Sequence, residues 1–265
     1  MFEYFDIHSH LCFPDYDSDR EEQIEEMKKN KIATISVGVD FESSKKEVAL
    51  AEKHKNIFAC VGQHPEDQNN DFNERLIELA NNPKVVAIGE CGLDYKAKPT
   101  KEIQVKMFES QINLAIGIGK PLMIHVRSTD KIEYDAYKDT LNILENYAKK
   151  FGDKLSGNMH FFVGNTEILK RILNIGFTVS FAGVITFTNE YDECVKYVPS
   201  DMIMSETDSP FVAPIPYRGK RNSPLYVVEV VKKIAEIRNE PFDKIKTALQ
   251  TNALRHFPLI STIAS

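Results

Sequence analysis

The chain has 265 residues, 42% of them apolar and 27% charged, with a formal net charge of −6. That acidity excludes a protein that coats long nucleic acid, whose footprint is basic, but leaves room for a site that grips one phosphate. No run of 18 apolar residues occurs, which excludes a membrane-spanning helix.

The start of the chain runs straight into a strand, with two acids and no basic region, so no signal peptide is expected. Cys12, Cys60, Cys91 and Cys194 show no CxxC pairing and are expected to be buried free thiols in a reducing cytoplasm. Length alone leaves one large domain or two small ones open.

Residues 4–10, YFDIHSH, read as a first strand ending on His8 and His10. Two apart on a strand, these side chains share a face and can chelate one metal. A charged helix follows over 19–29, with Ile24 and Met27 on one side. A strand at 33–39 and a helix at 42–54 lead to a third strand at 57–63. His64 stands at its end, where it can donate to a phosphate oxygen. Residues 85–90, VVAIGE, are apolar on consecutive positions, as in a strand buried on both faces of a parallel sheet. They end on Glu90, a carboxylate that is costly there unless paired, protonated or metal-bound. Either it meets a basic partner, or it bridges two cations that would otherwise repel. Cys91 alternates to the opposite side. No lysine occupies a strand end to bridge metals instead, since Lys120 precedes its strand and lies at the other pole.

Thr100 is placed to cap a helix over 100–118 that carries Ile103, Met107, Ile112 and Leu114. The strand at 121–126 delivers His125, and Arg127, two residues on, shares its side; guanidinium binds phosphate bidentately. Helices at 137–149, 166–175 and 191–198 alternate with strands at 158–162, 177–182 and 202–206. His160 ends one of these strands. Asp208 follows the last strand, two residues after Glu206, which either holds a metal-bound water or orients a ligand histidine. Lys96, Lys98 and Lys101 in one loop, and Arg218, Lys220, Arg221 and Asn222 in another, are expected to place positive charge on that face. Ser223-Pro224 opens a further helix, and Asp243 caps a last one that ends at His256.

Eight strand–helix alternations without a low-complexity linker predict an α/β fold, a TIM (β/α)8 barrel. The expectation is a single domain over 1–265 with an extra C-terminal helix. A doubly wound open sheet gathers ligands at a switch point between two or three strands. Here candidates follow strands 1, 4, 5, 6 and 8, which suits a closed ring.

FDIHSHL, VGQHPE, AIGECGLDY, PLMIHVR, HFF, SETDSPF, YRGKRNSP and TNALRHF occur in order over nearly the whole chain. Together they resemble the metal-dependent DNases of the TatD family, in the amidohydrolase superfamily. The resemblance implies two divalent metal ions (magnesium, manganese or zinc) and hydrolysis of phosphodiester bonds in DNA, as an exonuclease on single-stranded ends. It implies one metal on His8, His10 and Asp208, a second on His125 and His160, and Glu90 bridging them. His64, Arg127 and Arg221, with Asn222 beside it, are then substrate contacts. Asp208, Glu90 and Glu206 are the expected catalytic carboxylates, with Asp208 accepting the proton of the attacking water.

Two departures stand out. Phe161, Phe162, Val163 and Gly164 follow His160 where the family commonly has Cys-Phe-Ser-Gly. Ser128 and Thr129 intervene between Arg127 and Asp130, where the family often has aspartate at once. A monomer acting on DNA is expected. The alternatives are the same centre cleaving an ester or amide, including an aminoacyl ester on transfer RNA, or a non-catalytic metal-binding barrel.

Overall fold

Strand-forming runs of Val, Ile, Ala and Phe build the centre of this computed structural model, which describes residues 2–69, 71–131 and 133–260. They are β1 (Tyr4–Ser9), β2 (Ile32–Val37), β3 (Ile57–Val61), β4 (Val85–Asp94), β5 (Leu122–Arg127), β6 (Gly157–Met159), β7 (Thr178–Phe181) and β8 (Ile203–Ser205). Each pairs in parallel with the next, in sequence order. The seam back to β1 is made by a Ser9–Ser209 bridge and by Asp208 N–H donating to the His8 carbonyl at 2.9 Å. The result is a TIM barrel.

Helices alternate with the strands: α1 (Arg20–Lys29), α2 (Phe41–Lys53), α3 (Arg75–Ala80), α4 (Lys101–Ile118), α5 (Asp135–Phe151), α6 (Thr166–Asn174), α7 (Asp192–Tyr197) and α8 (Val227–Arg238). A last helix, α9 (Phe242–His256), is the extra C-terminal one. The six-residue α3 was not expected, because so short a segment shows too little periodicity to read. Thr100 stands at the N-cap of α4, but its side chain makes no capping bond. Asp243 lies inside α9, whose N-cap is Pro241. Ser223 does cap as expected: its hydroxyl accepts from Leu225 N–H at the 3-10 turn that leads into α8.

Two apolar layers follow from the alternation of strand side chains. Outward residues such as Leu122, Ile124, Leu93 and Cys91 pack against the helices. Inward residues, Phe5, Ile7, Ile35, Phe58, Val86 and Met123, fill the barrel. Ala253, Phe257 and Ile260, from the end of α9 and just after it, join that inner layer and seal the barrel's N-terminal end. Lys120 lies at this same end, its ammonium donating to the carbonyls of Ala80 and Asn82. Burial lowers it to about 8. Of the four free cysteines, Cys60, Cys91 and Cys194 are buried and Cys12 is partly exposed. No helix among the described residues is long and apolar enough to cross a membrane.

Register shifts interrupt strict alternation at three places among the described strands, and two of them position the site. These two interrupt β1 between Asp6 and Ser9, and β4 between Ile88 and Cys91. A bulge re-aims the side chains beyond it. Thus Phe5 and Ile7 both face the inner core, yet His10 lines the barrel mouth and His8 reaches Glu90 just beneath it.

Candidate metal centre

Glu90 sits at the middle of the mouth, 4% exposed, with its two oxygens divided among five imidazoles. Oε1 lies 2.7 Å from His125 Nδ1, 2.7 Å from His160 Nε2 and 3.5 Å from His64 Nε2. Oε2 lies 3.3 Å from His8 Nε2 and 3.7 Å from His10 Nε2. Burial opposes its charge, but His160, His64 and His8, with the His125 hydrogen bond, hold the carboxyl well below the usual range.

β4 can carry this residue because glycines flank it. Gly89 and Gly92 have φ of 149° and 143°, a region that disfavours side chains. A Cβ on Gly92 would strike the His125 carbonyl, and one on Gly89 the Met123 carbonyl. The two glycines therefore let β5 approach closely enough for His125 to reach Glu90.

All of these histidines except His8 are turned by a bond at the other nitrogen. His10 Nδ1 donates to the Val37 carbonyl at 2.8 Å, which leaves Nε2 bare toward the mouth. His160 Nδ1 faces Glu206 at 3.3 Å, leaving Nε2 toward Glu90. Glu206 also accepts from Phe161 N–H at 2.7 Å and from the Ser180 hydroxyl at 2.5 Å. It is fully buried and lies behind His160, so of its two readings the geometry matches orientation of a ligand. His64 differs from the rest. Its Nδ1 accepts from Glu66 N–H at 3.1 Å, so the ring proton is on Nε2 and faces the cavity as a donor.

Asp208 completes the group, with Oδ1 at 3.4 Å from His10 and 3.7 Å from His8. Its φ of 53° is in the left-handed region that aspartate tolerates. Behind it Asp6, fully buried, accepts from the Thr207 N–H and hydroxyl at 2.9 and 2.6 Å and from His8 N–H at 3.2 Å. This ties the β8 loop to the end of β1. Burial pushes the Asp6 carboxyl well up.

These donors fit a divalent cation. His8 and His10 turn Nε2 on each other at 3.2 Å, and His8 Nδ1, buried, has no hydrogen-bond partner among the described residues. Three groups present ligand atoms all within 4.8 Å of one another: His8, His160 and Asp208; His8, His10 and Glu90; His64, Glu90 and His125. His160 thus groups with His8, on which its ring stacks at 3.9 Å, as well as with Glu90. Nitrogen and carboxylate donors in this mixture suit borderline or hard divalent ions.

The centre opens into a cavity of about 850 Å3. Of its described lining residues only Arg127 carries a fixed positive charge, while Asp40, Glu66 and Asp67 also line it. The expected positive rim is therefore reduced. Lys96 is paired to Asp130 and Lys101 to Asp139, each at 2.5 Å. Arg221 does not reach the cavity either: its guanidinium grips Asp19 at 2.5 and 2.8 Å. Asn222 is fully buried, donating to the carbonyls of Thr207 and Phe211 at 2.8 and 2.6 Å. Both departures from expectation have one cause: the loop after β8 is pinned by its own side chains.

Asp94 belongs to the site and was not anticipated. Its Oδ2 lies 3.2 Å from His125 Nε2 and 3.8 Å from Arg127. Burial resists its charge, but the His125 hydrogen bond lowers it. The signal was present in VVAIGECGLD. β4 continues through Gly92, and residue 94 returns to the face of residue 90. Gln104 secures that extension, its amide bonding Asp94 N–H and C=O, each at 2.8 Å.

The sequence profile of the TatD related DNase family matches residues 5–258. The chain belongs to this family. A Bacillus subtilis relative, YabD, named an uncharacterized metal-dependent hydrolase, is 39% identical over 96% of this chain and 98% of its own. YcfH of Escherichia coli K12, named likewise, is 36% identical over 78% of this chain and 76% of its own. Among solved structures, the TatD homologue YjjV of E. coli superposes with a TM-score of 0.83 at 23% identity, covering 97% of this chain and 98% of its own. A TatD family hydrolase from Entamoeba histolytica does so with 0.83 at 20%, over the same shares. At these identities the two structures show a shared fold.

Proposed function

We propose that this TatD-family chain, a metal-dependent hydrolase, cleaves phosphodiester bonds in DNA and acts as an exonuclease on single-stranded ends. The observation that carries the reading is Arg127, the one fixed cation among the described residues lining the cavity, beside the Glu90 cage and next to a histidine that presents a proton. Guanidinium and imidazole N–H are donors matched to the non-bridging oxygens of a phosphate.

In this reading His8, His10, Glu90, His125, His160 and Asp208 would hold two divalent ions, magnesium, manganese or zinc. Such ions, when bound, supply Lewis-acid charge and lower the pKa of a water. Arg127 and His64 orient the phosphate. Asp208, whose side chain is 15% exposed to the cavity, accepts the proton of the attacking water. Glu206 and Asp94 hold His160 and His125 in place from behind. The protein acts as a cytoplasmic monomer, and its acidic surface favours engagement of an end over wrapping of a duplex.

The test is incubation of metal-replete protein with end-labelled single-stranded DNA in magnesium, manganese or zinc. Release of mononucleotides is expected; no release with any of the three ends this reading. A second reading draws on Asp40, Glu66 and Asp67 in the cavity wall, which suit an ammonium group such as that of an aminoacyl ester. Asp40 is already engaged in capping α2 through Ser43 N–H, and Asp67 accepts from Asn69, which weakens that reading. Arg127→Met discriminates. It should raise KM for DNA at least tenfold, and it leaves an ester substrate untouched if the second reading holds.

A further inference from the structure

Five large hydrophobic side chains are exposed among the described residues, and three of them, Phe187, Phe211 and Ile215, sit around the loop that follows β8. Phe211, 48% exposed, lines the cavity together with Phe13 and Phe161. Phe13 and Phe211 meet edge to face at 6.1 Å. Phe13 stacks on His10 at 4.6 Å, and Phe211 approaches the same imidazole at 6.1 Å. Phe161 lines the same cavity beside His160, 6.3 Å between ring centres.

The backbone is bent to hold these groups there. Six described non-glycine residues have positive φ, and three line this cavity: Phe161 at 46°, Asp208 at 53° and Val212 at 45°. Such conformations cost energy and persist where the surroundings enforce them. Gly183 serves the same end. A Cβ there would strike the Val212 carbonyl, so the loop can lie down against the β7 end only over glycine.

An exposed phenylalanine adds little to stability, so Phe211, half exposed beside the part-buried Phe13 and Phe161 at a polar mouth, marks a ligand. Among its described residues the cavity offers one fixed cation, Arg127, against this aromatic wall, and carboxylates at Asp40, Glu66 and Asp67 would repel further phosphates. A ligand that presents one phosphate at the cage and a flat apolar ring alongside satisfies both. Duplex ends do not, because their bases are already stacked.

We propose that Phe13, Phe161 and Phe211 form a stacking platform for one unpaired nucleobase, so that the enzyme selects single-stranded nucleic acid by its base. This rests on the phosphodiesterase reading above and adds the means of substrate choice. Affinity then comes from stacking more than from backbone charge. Since each neutralised phosphate steepens the salt dependence on single strands by about 0.7, the slope of log affinity against log salt should stay near that of one or two phosphates.

The experiment uses metal-replete protein and a trinucleotide with phosphorothioate linkages and a terminal 2-aminopurine, whose fluorescence is quenched on stacking. Wild type should quench it, and Phe211→Ala should lose the quenching and weaken binding about tenfold, in line with alanine replacement at other base-stacking aromatics. Phe211→Trp should restore both. Phe211 is half exposed, so the alanine variant should keep its thermal midpoint. In parallel, the preference in kcat/KM for a base-bearing over an abasic terminal nucleotide should collapse in Phe211→Ala. If wild type gives no quenching, or Phe211→Ala keeps both quenching and preference, the platform is refuted even though DNA is cleaved. If quenching behaves as expected but no phosphodiester is cleaved, the phosphodiesterase reading fails and the base site stands.

Discussion

At its N-terminal end the barrel buries Phe5, Phe58, Phe257 and Ile260 against one another, whereas at its C-terminal end it buries His8, His10, Glu90, His160 and Glu206. The same parallel strands run through both. Only the side chains differ, and with them the free energy. Apolar burial at the lower end stabilises the fold at about 25 cal/mol per Å2. Burial of imidazole and carboxylate at the upper end costs desolvation that their mutual contacts recover only in part. One end keeps the barrel folded, and the other is maintained for its chemistry.

Substitutions at the two ends should separate these roles, and the largest effects come first. Glu90→Gln removes the carboxylate shared by five histidines, and hydrolysis should fall by 10³-fold or more on the scale of losing a central electrostatic group, about 10²–10³ per donor elsewhere. The thermal midpoint of the metal-free protein should change little. Phe58→Ala should do the reverse, costing about 3–5 kcal/mol, or roughly 10 °C in midpoint for a chain of this size, with turnover per folded molecule preserved. Calorimetry beside rate measurement decides both. Equal loss of stability from the two substitutions would break the comparison.

Gly92→Ala tests where the two roles meet. Its Cβ has no room against the His125 carbonyl, so stability and activity should fall together. Retention of both would mean β5 is not held as close as the geometry states.

A smaller effect is expected from Glu206→Gln, which keeps the shape but weakens the hold on His160. Losing such an outer partner typically reduces metal affinity about 10- to 100-fold. Titration with manganese followed by calorimetry reads this directly, and unaltered affinity would remove Glu206 from the site.

The smallest concerns His256, at the lower end, which burial lowers to about 4. Its ordinary value in an unfolded chain is about 6.5, so between these values the unfolded chain takes up the extra proton. The stability it contributes is complete above about pH 6.5 and is lost as pH falls toward 4. Replacing it in His256→Leu should narrow the difference in unfolding free energy between pH 6.5 and pH 5 by about 1–2 kcal/mol. Identical acid sensitivity in the two proteins would show that the imidazole is solvated.

The upper end was more legible in the sequence than its polarity suggests. Histidines and carboxylates ending apolar strands cannot be explained by the lower end's rules, so His8, His10, Glu90, His125, His160 and Asp208 stand out, and the structure brings all six together. What escaped notice is local geometry. Alternation along VVAIGECGLD returns residue 94 to the face of residue 90, but how far the strand extends is set by its neighbour's register and by Gln104 from α4. Arg221 and Asn222 looked like substrate contacts by position, but Asp19 lies more than two hundred residues earlier in the chain, and its pairing with Arg221 is visible only once the barrel closes. Phe13 and Phe211 gave no signal, since a lone phenylalanine in a sequence reads as core.

The central claim is that the mouth exists to bind divalent metal around Glu90. Anomalous diffraction from crystals grown with manganese tests it most directly. The account predicts anomalous peaks at ligand distance, about 2.0–2.3 Å, from the Glu90 carboxylate and the imidazoles of His8 and His10, and no such peaks in Glu90→Gln. Manganese bound only elsewhere, with Glu90 still paired to the histidines, would contradict it.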